Sequence, residues 1–354
     1  MASYTKKVKI GGVTIGGGEN IAIQSMLNVR ADNIDGSVKQ AKALEEAGCE
    51  IIRAAVPTVG DAKLIYALKL ALKIPVVADI HFDYKIALEC VEAGVDKIRI
   101  NPGNIGSDDR VKAVADKCAA AGVPIRIGVN SGSLPKSVLS KYGGVCADAL
   151  VEAAMYHASL LEKFDFDNIV LSMKASDVRL MSDAYKKAAA LTKYPLHLGV
   201  TEAGTERMGL IKSAAGIGGL LLSDIGDTIR VSLTDDPIKE IKAAKDILKA
   251  VGARTGGANI VCCPTCGRTK IDLISLAKRV ESALESYSGK PITVAVMGCV
   301  VNGPGEAREA DLGVAGGDGC GILFRKGEII RKVSEEDLFS ALMDEIKKYD
   351  QKEE

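Results

Sequence analysis

Residues 259–268, NIVCCPTCGR, put Cys262, Cys263 and Cys266 within five positions around a proline, and residues 296–306, VMGCVVNGPGE, add Cys299 in a Gly/Pro loop. A thiolate is both a soft metal ligand and a nucleophile, so thiols at this density bind metal or exchange electrons. Nine cysteines occur in the chain, and five of them lie between 262 and 320. Of the scattered four, Cys49, Cys90 and Cys118 read as small buried hydrophobes, and Cys146 stands alone. A four-cysteine zinc knuckle needs a second C-x-x-C pair or nearby histidine, and no histidine follows His197. A thioredoxin-like pair, Cys263 and Cys266, would have no need of a third thiol. A pair plus a distant cysteine in a Gly/Pro loop suits an iron–sulfur cluster better, because Gly and Pro fix turns around a bulky group held by thiolates. Spacing leaves the third ligand open between Cys299 and Cys320, with Cys320 in GGDGCGILF reading as a strand start, and it names no fourth.

A second set of reactive side chains lies upstream, late in a series of short apolar runs. The second run carries Arg53; the third ends in Asp79 and His81; the fourth gives Arg99 and Asn101. The fifth gives Arg126 and Asn130, the sixth Lys174, the seventh Thr201 and Glu202, and the eighth Arg230 and Ser232. One arginine on a strand is commonly half of a salt bridge. Five cations at corresponding strand ends instead suit a strongly anionic ligand, a diphosphate above all, because guanidinium forks match phosphate oxygens. His81 and Glu202 are the candidate proton handlers. His157, within a helix, and His197, early in a strand, read as structural.

The elements that must position these groups repeat one unit from residue 20 to about 255: a β-branched run, a polar end and an amphipathic helix. The runs are 21–26, 50–56, 75–81, 96–103, 124–130, 168–174, 196–202 and 227–233; Gly48, Gly94 and Gly122 fall where left-handed helix C-caps belong. Eight such units over about 250 residues predict a (β/α)8 barrel, with chemistry at the C-terminal strand ends. An open doubly wound sheet would need a Gly-rich turn after its first strand, and QSMLNVRADN is not one. GARTGGA, 252–258, reads as a linker to a small α+β domain: a strand through ANIVCC, a helix over 271–287, a strand over 291–298 and short strands near 311–316, 320–325 and 328–332. Its last helix opens at Ser334, three residues before Asp337, in the manner of a capping box. The expected domains are 1–255 and 256–354.

Composition sets the outer bounds. With 47% apolar and 26% charged residues, the chain can bury a sizeable core. Lys plus Arg and Asp plus Glu are both 46, a balance that speaks against a nucleic-acid or membrane-surface protein. MASYTKKVKIGG has no apolar run behind its charges, and nothing reaches the roughly 18–20 apolar residues of a membrane span, so a cytoplasmic protein is expected.

CPTCGR with GCVVNGPGEA, behind a barrel containing ADIHF, IRINPGN and GVTEAG, closely resembles the 4-hydroxy-3-methylbut-2-enyl diphosphate synthases of the methylerythritol phosphate route to isoprenoids. The resemblance covers essentially the whole chain, in the compact bacterial form without the large inter-domain insertion of plant-type relatives. It implies reductive opening and dehydration of 2-C-methyl-D-erythritol 2,4-cyclodiphosphate, with two electrons passing singly from flavodoxin or ferredoxin through a 4Fe–4S cluster. It implies Cys263, Cys266 and Cys299 as cluster ligands and Glu306 as the fourth, a carboxylate being harder and more easily displaced than thiolate. It implies Arg53, Arg99, Arg126, Lys174 and Arg230 as diphosphate contacts, with Asn101 and Asn130 beside them, and Glu202 as proton donor. A homodimer is also implied, the cluster domain of one copy closing over the barrel of its partner. Two positions depart from the family pattern: Cys262 replaces the usual serine before the first ligand, and Leu27 replaces a threonine in QSMLN. The competing readings are a non-catalytic iron–sulfur carrier or sensor, which has no use for five rim cations, and a phosphosugar barrel with a structural metal knuckle.

Overall fold

The computed structural model describes residues 5–254, 257–285, 287, 289–300 and 307–351. The chain divides into two units, Met1–Arg254 and Thr255–Glu354. Among the described residues, no helix is long and apolar enough to cross a membrane.

The first unit opens with an antiparallel hairpin, β1 (Val8–Ile10) and β2 (Val13–Ile15), that the sequence pattern does not announce. Two three-residue strands with a charged or polar centre are too short to show a period of two. Eight parallel strands follow: β3 (Ala22–Met26), β4 (Ile51–Ala55), β5 (Val76–Asp79), β6 (Lys97–Ile100), β7 (Ile125–Asn130), β8 (Ile169–Lys174), β9 (His197–Leu198) and β10 (Thr228–Ile229). Their order is β8-β7-β6-β5-β4-β3-β10-β9, and the Leu171–Leu196 bridge closes the ring between β8 and β9. This is the expected (β/α)8 barrel. The last two strands are shorter than expected, because residues beyond Leu198 and Ile229 leave the ladder and become mouth loops. Gly48, Gly94 and Gly122 follow their helices at φ of 94°, 83° and 66°, the left-handed stop that favours glycine.

Alternation along the strands sorts the side chains. Ile52, Ala78, Ile98, Ile127, Leu171 and Ile229 face outward and join the large apolar layer beneath the helices. The opposite parity faces the barrel axis. At its floor Ala22, Ile51, Val77 and Val170 cluster with Val8, Ile10 and Ile15, so the hairpin plugs the N-terminal end. Above this floor the inward positions become polar.

The second unit is a five-stranded sheet in the order β11 (Ala258–Cys262), β12 (Ile292–Met297), β13 (Leu312–Gly317), β14 (Cys320–Arg325) and β15 (Glu328–Ser334). β11, β12 and β13 run parallel; β13, β14 and β15 run antiparallel. Helices Leu273–Leu284 and Leu338–Gln351 bury Val280 and Leu342 with Val294 and Val314 of the sheet. The Ser334 hydroxyl does meet Asp337, donating to Oδ2 at 2.6 Å and accepting from its N–H at 3.3 Å, but the regular helix begins only at Leu338.

Candidate active site

Two residues advance a strand by one inward position, so each site residue shares parity with the floor beneath it. Val77 leads to Asp79, Ile51 to Arg53, Lys97 to Arg99, and Val170 through Ser172 to Lys174. The in-register partners Asp79–Arg99 and Arg99–Arg126 put three of these charges on adjacent strands.

Asp79 is the hub. On sequence grounds it ends the third strand without a role; here its Oδ1 lies 3.2 Å from Arg99 Nη1 and its Oδ2 lies 3.4 Å from Arg53 Nη2 and 3.7 Å from His81 Nε2. Burial disfavours its charge, but Arg53, the His81 contact, Arg99 and Arg126 outweigh burial and hold the carboxyl well below the usual range. Arg230 faces the buried Glu240 at 3.7 Å, an ion pair too long to be a hydrogen bond. Arg126 donates to the Ser172 hydroxyl at 2.8 Å. Among the described residues neither Arg126 nor Lys174 has a carboxylate partner.

The salt-bridge explanation therefore covers Arg53, Arg99 and Arg230 in part and the other two not at all. Burial, then the charges of Arg230, Arg126, Arg53 and Arg99, push Lys174 well below its ordinary value, so all five cations share one field. Burial lowers Arg53 to about 10, opposed by Asp79 and assisted by Arg230 and Arg99. Lys97, a sixth basic side chain, wholly buried and missed on sequence grounds, sits one step deeper. Its signal is visible in KIRI, where Lys97 and Arg99 share a face. Even without Lys97, five basic side chains against Asp79 and Glu240 leave a strong demand for negative charge.

Two glycines make room for this set. A Cβ on Gly128 would lie 2.4 Å from Arg99 Nε, and the Gly128 carbonyl accepts from Arg99 Nη2 at 2.7 Å. A Cβ on Gly199 would lie 2.7 Å from both Lys174 Nζ and the Arg230 carbonyl oxygen. Asn101 Oδ1 accepts from Gly128 N at 3.0 Å, which ties the loop after β6 to β7. Asn130 ends β7, half-buried; Ser232 lies half-buried beyond β10; Thr201 N donates to the Ala175 carbonyl at 3.3 Å. Glu202 is exposed with a backbone φ of 51°, a left-handed conformation unusual for a non-glycine residue. His81 is largely exposed and, with Asp79 and Phe82, borders a cavity of about 290 Å³.

The remaining histidines are held internally. His157 accepts from Gly103 N at 3.1 Å through Nδ1, and burial pushes its pKa down to about 4. His197 is fully buried, with Nδ1 2.8 Å from the Thr228 hydroxyl, and burial followed by surrounding cations keeps it neutral. Leu27 packs into the apolar layer outside the barrel, which explains why a side chain without a hydroxyl fits there.

In the second unit, β11 ends at Cys262, paired with Val296 of β12. Cys263 follows, packs between the apolar clusters on both faces of the sheet, and accepts from Gly298 N at 3.1 Å. Cys266 is exposed; the backbone N–H and side chain of Arg268 draw its thiol below the ordinary value. Cys262 is also exposed, yet shielding from water and then Cys263 and Glu281 push its thiol upward. Cys299 is half-buried just beyond β12, and Cys320 begins β14. Buried Cys49, Cys90 and Cys118 are each pushed up to about 12, chiefly by desolvation. Among the described residues, no three Cys, His, Asp or Glu side chains converge closely enough to hold a metal. Glu306, the fourth ligand implied by resemblance, lies outside the described residues. The donor chemistry still fits a cluster: three thiols follow the ends of two adjacent parallel strands, and an N–H already bonds one sulfur. A cleft of about 650 Å³ elsewhere in this unit, bordered by Asp272, Arg279 and Glu335, contains none of the cysteines.

Fold and site together define a class: a barrel with a polycationic mouth joined to a small domain bearing a cysteine pair and a third cysteine across the strand. The chain matches the GcpE TIM-barrel domain over residues 5–245 and the GcpE protein C-terminal domain over residues 259–348. It is 55% identical over 348 residues to the 4-hydroxy-3-methylbut-2-en-1-yl diphosphate synthase (flavodoxin) of Fusobacterium nucleatum, covering 98% of this chain and 97% of that one. It is 57% identical over 339 residues to the protein of the same name from Clostridium perfringens, covering 96% and 97%. The chain belongs to the GcpE family of 4-hydroxy-3-methylbut-2-en-1-yl diphosphate synthases. Among solved structures, the dihydropteroate synthase of Stenotrophomonas maltophilia superimposes with a TM-score of 0.53 at 15% identity over 70% of this chain and 98% of its own. The sialic acid synthetase of Leptospira borgpetersenii gives 0.50 at 13% over 81% and 100%. At these identities the likeness is one of fold.

Proposed function

We propose that this enzyme reductively opens 2-C-methyl-D-erythritol 2,4-cyclodiphosphate and releases 4-hydroxy-3-methylbut-2-enyl diphosphate and water. Two electrons and two protons balance the reaction. The observation that supports this beyond kinship is the buried excess of cations in the mouth, which a diphosphate would offset.

Arg53, Arg99, Arg126, Lys174 and Arg230 bind the two phosphoryl groups, with Asn101, Asn130 and Ser232 as neutral partners. Asp79 keeps Arg53 and Arg99 aimed, and Gly128 and Gly199 leave them and Lys174 their space. Glu202 delivers a proton from an exposed loop whose left-handed backbone costs about 1–3 kcal/mol, the kind of local strain that collects at working sites. His81, exposed beside Asp79, is the second candidate proton handler.

Cys263, Cys266, Cys299 and Glu306 would hold a 4Fe–4S cluster, with Cys262 beside it in the position of the family's serine. When bound, that group supplies electrons one at a time, received from flavodoxin or ferredoxin. A homodimer belongs to this reading, and sedimentation velocity tests it. Anaerobic purification followed by iron, sulfide and EPR analysis tests the cofactor. About four irons with matching sulfide per chain supports the proposal, whereas one tightly bound zinc would end it.

A further inference from the structure

Lys97 lies on β6, two residues before Arg99 and on the same inward face. It is 0% exposed, and its Nζ has a single hydrogen-bond partner among the described residues, Gln24 Oε1 at 3.4 Å. The groups around it are Gln24 on β3, Arg53 on β4, Arg126 on β7 and His197 on β9; Asp79 on β5 is engaged by Arg53 and Arg99. Burial, then the charges of Arg126 and Arg53, push the Lys97 ammonium well below the ordinary lysine value. Hydrogen bonding points the same way. Gln24 Nε2, Arg126 Nε and Arg126 Nη2 are buried N–H donors without an acceptor among the described residues. An ammonium has only donors to offer this layer, while a neutral amine adds a lone pair.

We propose that Lys97 is a neutral amine in the ligand-free enzyme and takes a proton from solvent when the anionic ligand enters the mouth, so that binding is coupled to proton uptake. The lone pair of Nζ forms the new N–H bond, and no other bond breaks. The inference rests on the diphosphate-binding role proposed above and deepens it. Burial is the larger reason that a charge on Lys97 is disfavoured, and the field of Arg126 and Arg53 adds to it; the ligand's charges offset that second contribution. Lys97 is thus a positioning residue that acts through the arginines. Left neutral, it lets the barrel fold without a sixth uncompensated cation; once charged, it adds to the attraction that retains the ligand.

The cyclic diphosphate makes a clean probe. Each phosphoryl group is linked through two bridging oxygens and keeps one strongly acidic oxygen, so the ligand has no proton to exchange near neutrality. It is titrated calorimetrically into the oxidised holoenzyme, without reductant, at pH about 8, where an ordinary histidine is neutral. The slope of observed enthalpy against buffer ionisation enthalpy counts protons taken up. The expected slope is about one to two protons, Lys174 being the second buried lysine without a carboxylate partner, and Lys97→Met lowers it by about one. Lys97→Gln serves if the Met variant does not fold. A zero slope in the wild-type enzyme overturns the proposal. So does an uptake unchanged in both variants, which would belong to another group such as Lys174. Absence of binding would instead remove the diphosphate reading, and this inference with it.

Discussion

Asp79 on β5 and Arg99 on β6 are register partners on neighbouring parallel strands, and their side chains meet at 3.2 Å inside the barrel. The same carboxylate reaches Arg53 on the other side, so one buried anion organises two guanidinium groups that would otherwise repel. Asp79→Asn should lower stability at pH 7 by about 3–5 kcal/mol, the usual cost of stranding a buried charge. Because the folded carboxyl titrates below its unfolded value of about 3.9, the stabilisation is complete above about pH 4 and is lost as pH falls through the folded value. Thermal melts should therefore show the wild-type advantage shrinking below about pH 4. A gap that is constant with pH would mean that Asp79 acts by shape alone.

The two glycines separate binding from stability. At Gly128 an added methyl meets the far end of Arg99, which can move, so Gly128→Ala should fold and bind the cyclic diphosphate about tenfold more weakly. At Gly199 it also meets the Arg230 carbonyl, which cannot easily move, so Gly199→Ala should cost about 1–3 kcal/mol of stability. Melting curves with KM values for both variants check this. Equal effects would show that the arginine has no freedom to yield.

Glu202→Gln keeps the shape of the loop and removes the proton. We expect kcat to fall by about 10²–10⁴-fold with little change in KM or melting temperature. A rise in KM at unchanged kcat would make Glu202 a binding residue.

The adjacent thiols of NIVCCPTCGR have different surroundings: Cys263 accepts from Gly298 N, while the Cys262 thiol is pushed upward. Cys262→Ser should retain iron and the EPR signal, and Cys263→Ser, Cys266→Ser and Cys299→Ser should each lose them. Loss of iron in Cys262→Ser would reverse the assignment.

Much of this architecture is legible in the sequence because barrel strands and helices differ in period, and because strand ends line one mouth whatever the loops do. Arg99 and Arg126 stand out as charges inside apolar runs. Asp79 and Lys97 are in equally apolar runs, yet their meaning depends on which neighbours share their face across strands, and one strand's sequence does not contain that. The hairpin plug escapes notice because Val8–Ile10 and Val13–Ile15 are too short to display alternation. The crowding at Gly128 and Gly199 is a property of the closed ring and has no local signature.

The most direct test of the central claim is turnover. Enzyme purified anaerobically with its iron intact is given 2-C-methyl-D-erythritol 2,4-cyclodiphosphate and reduced flavodoxin, and the products are separated by chromatography. The account predicts 4-hydroxy-3-methylbut-2-enyl diphosphate, one molecule for every two electrons consumed, and loss of that product in Arg126→Ala at low substrate. Recovery of unchanged cyclic diphosphate from enzyme with a full iron complement would contradict it.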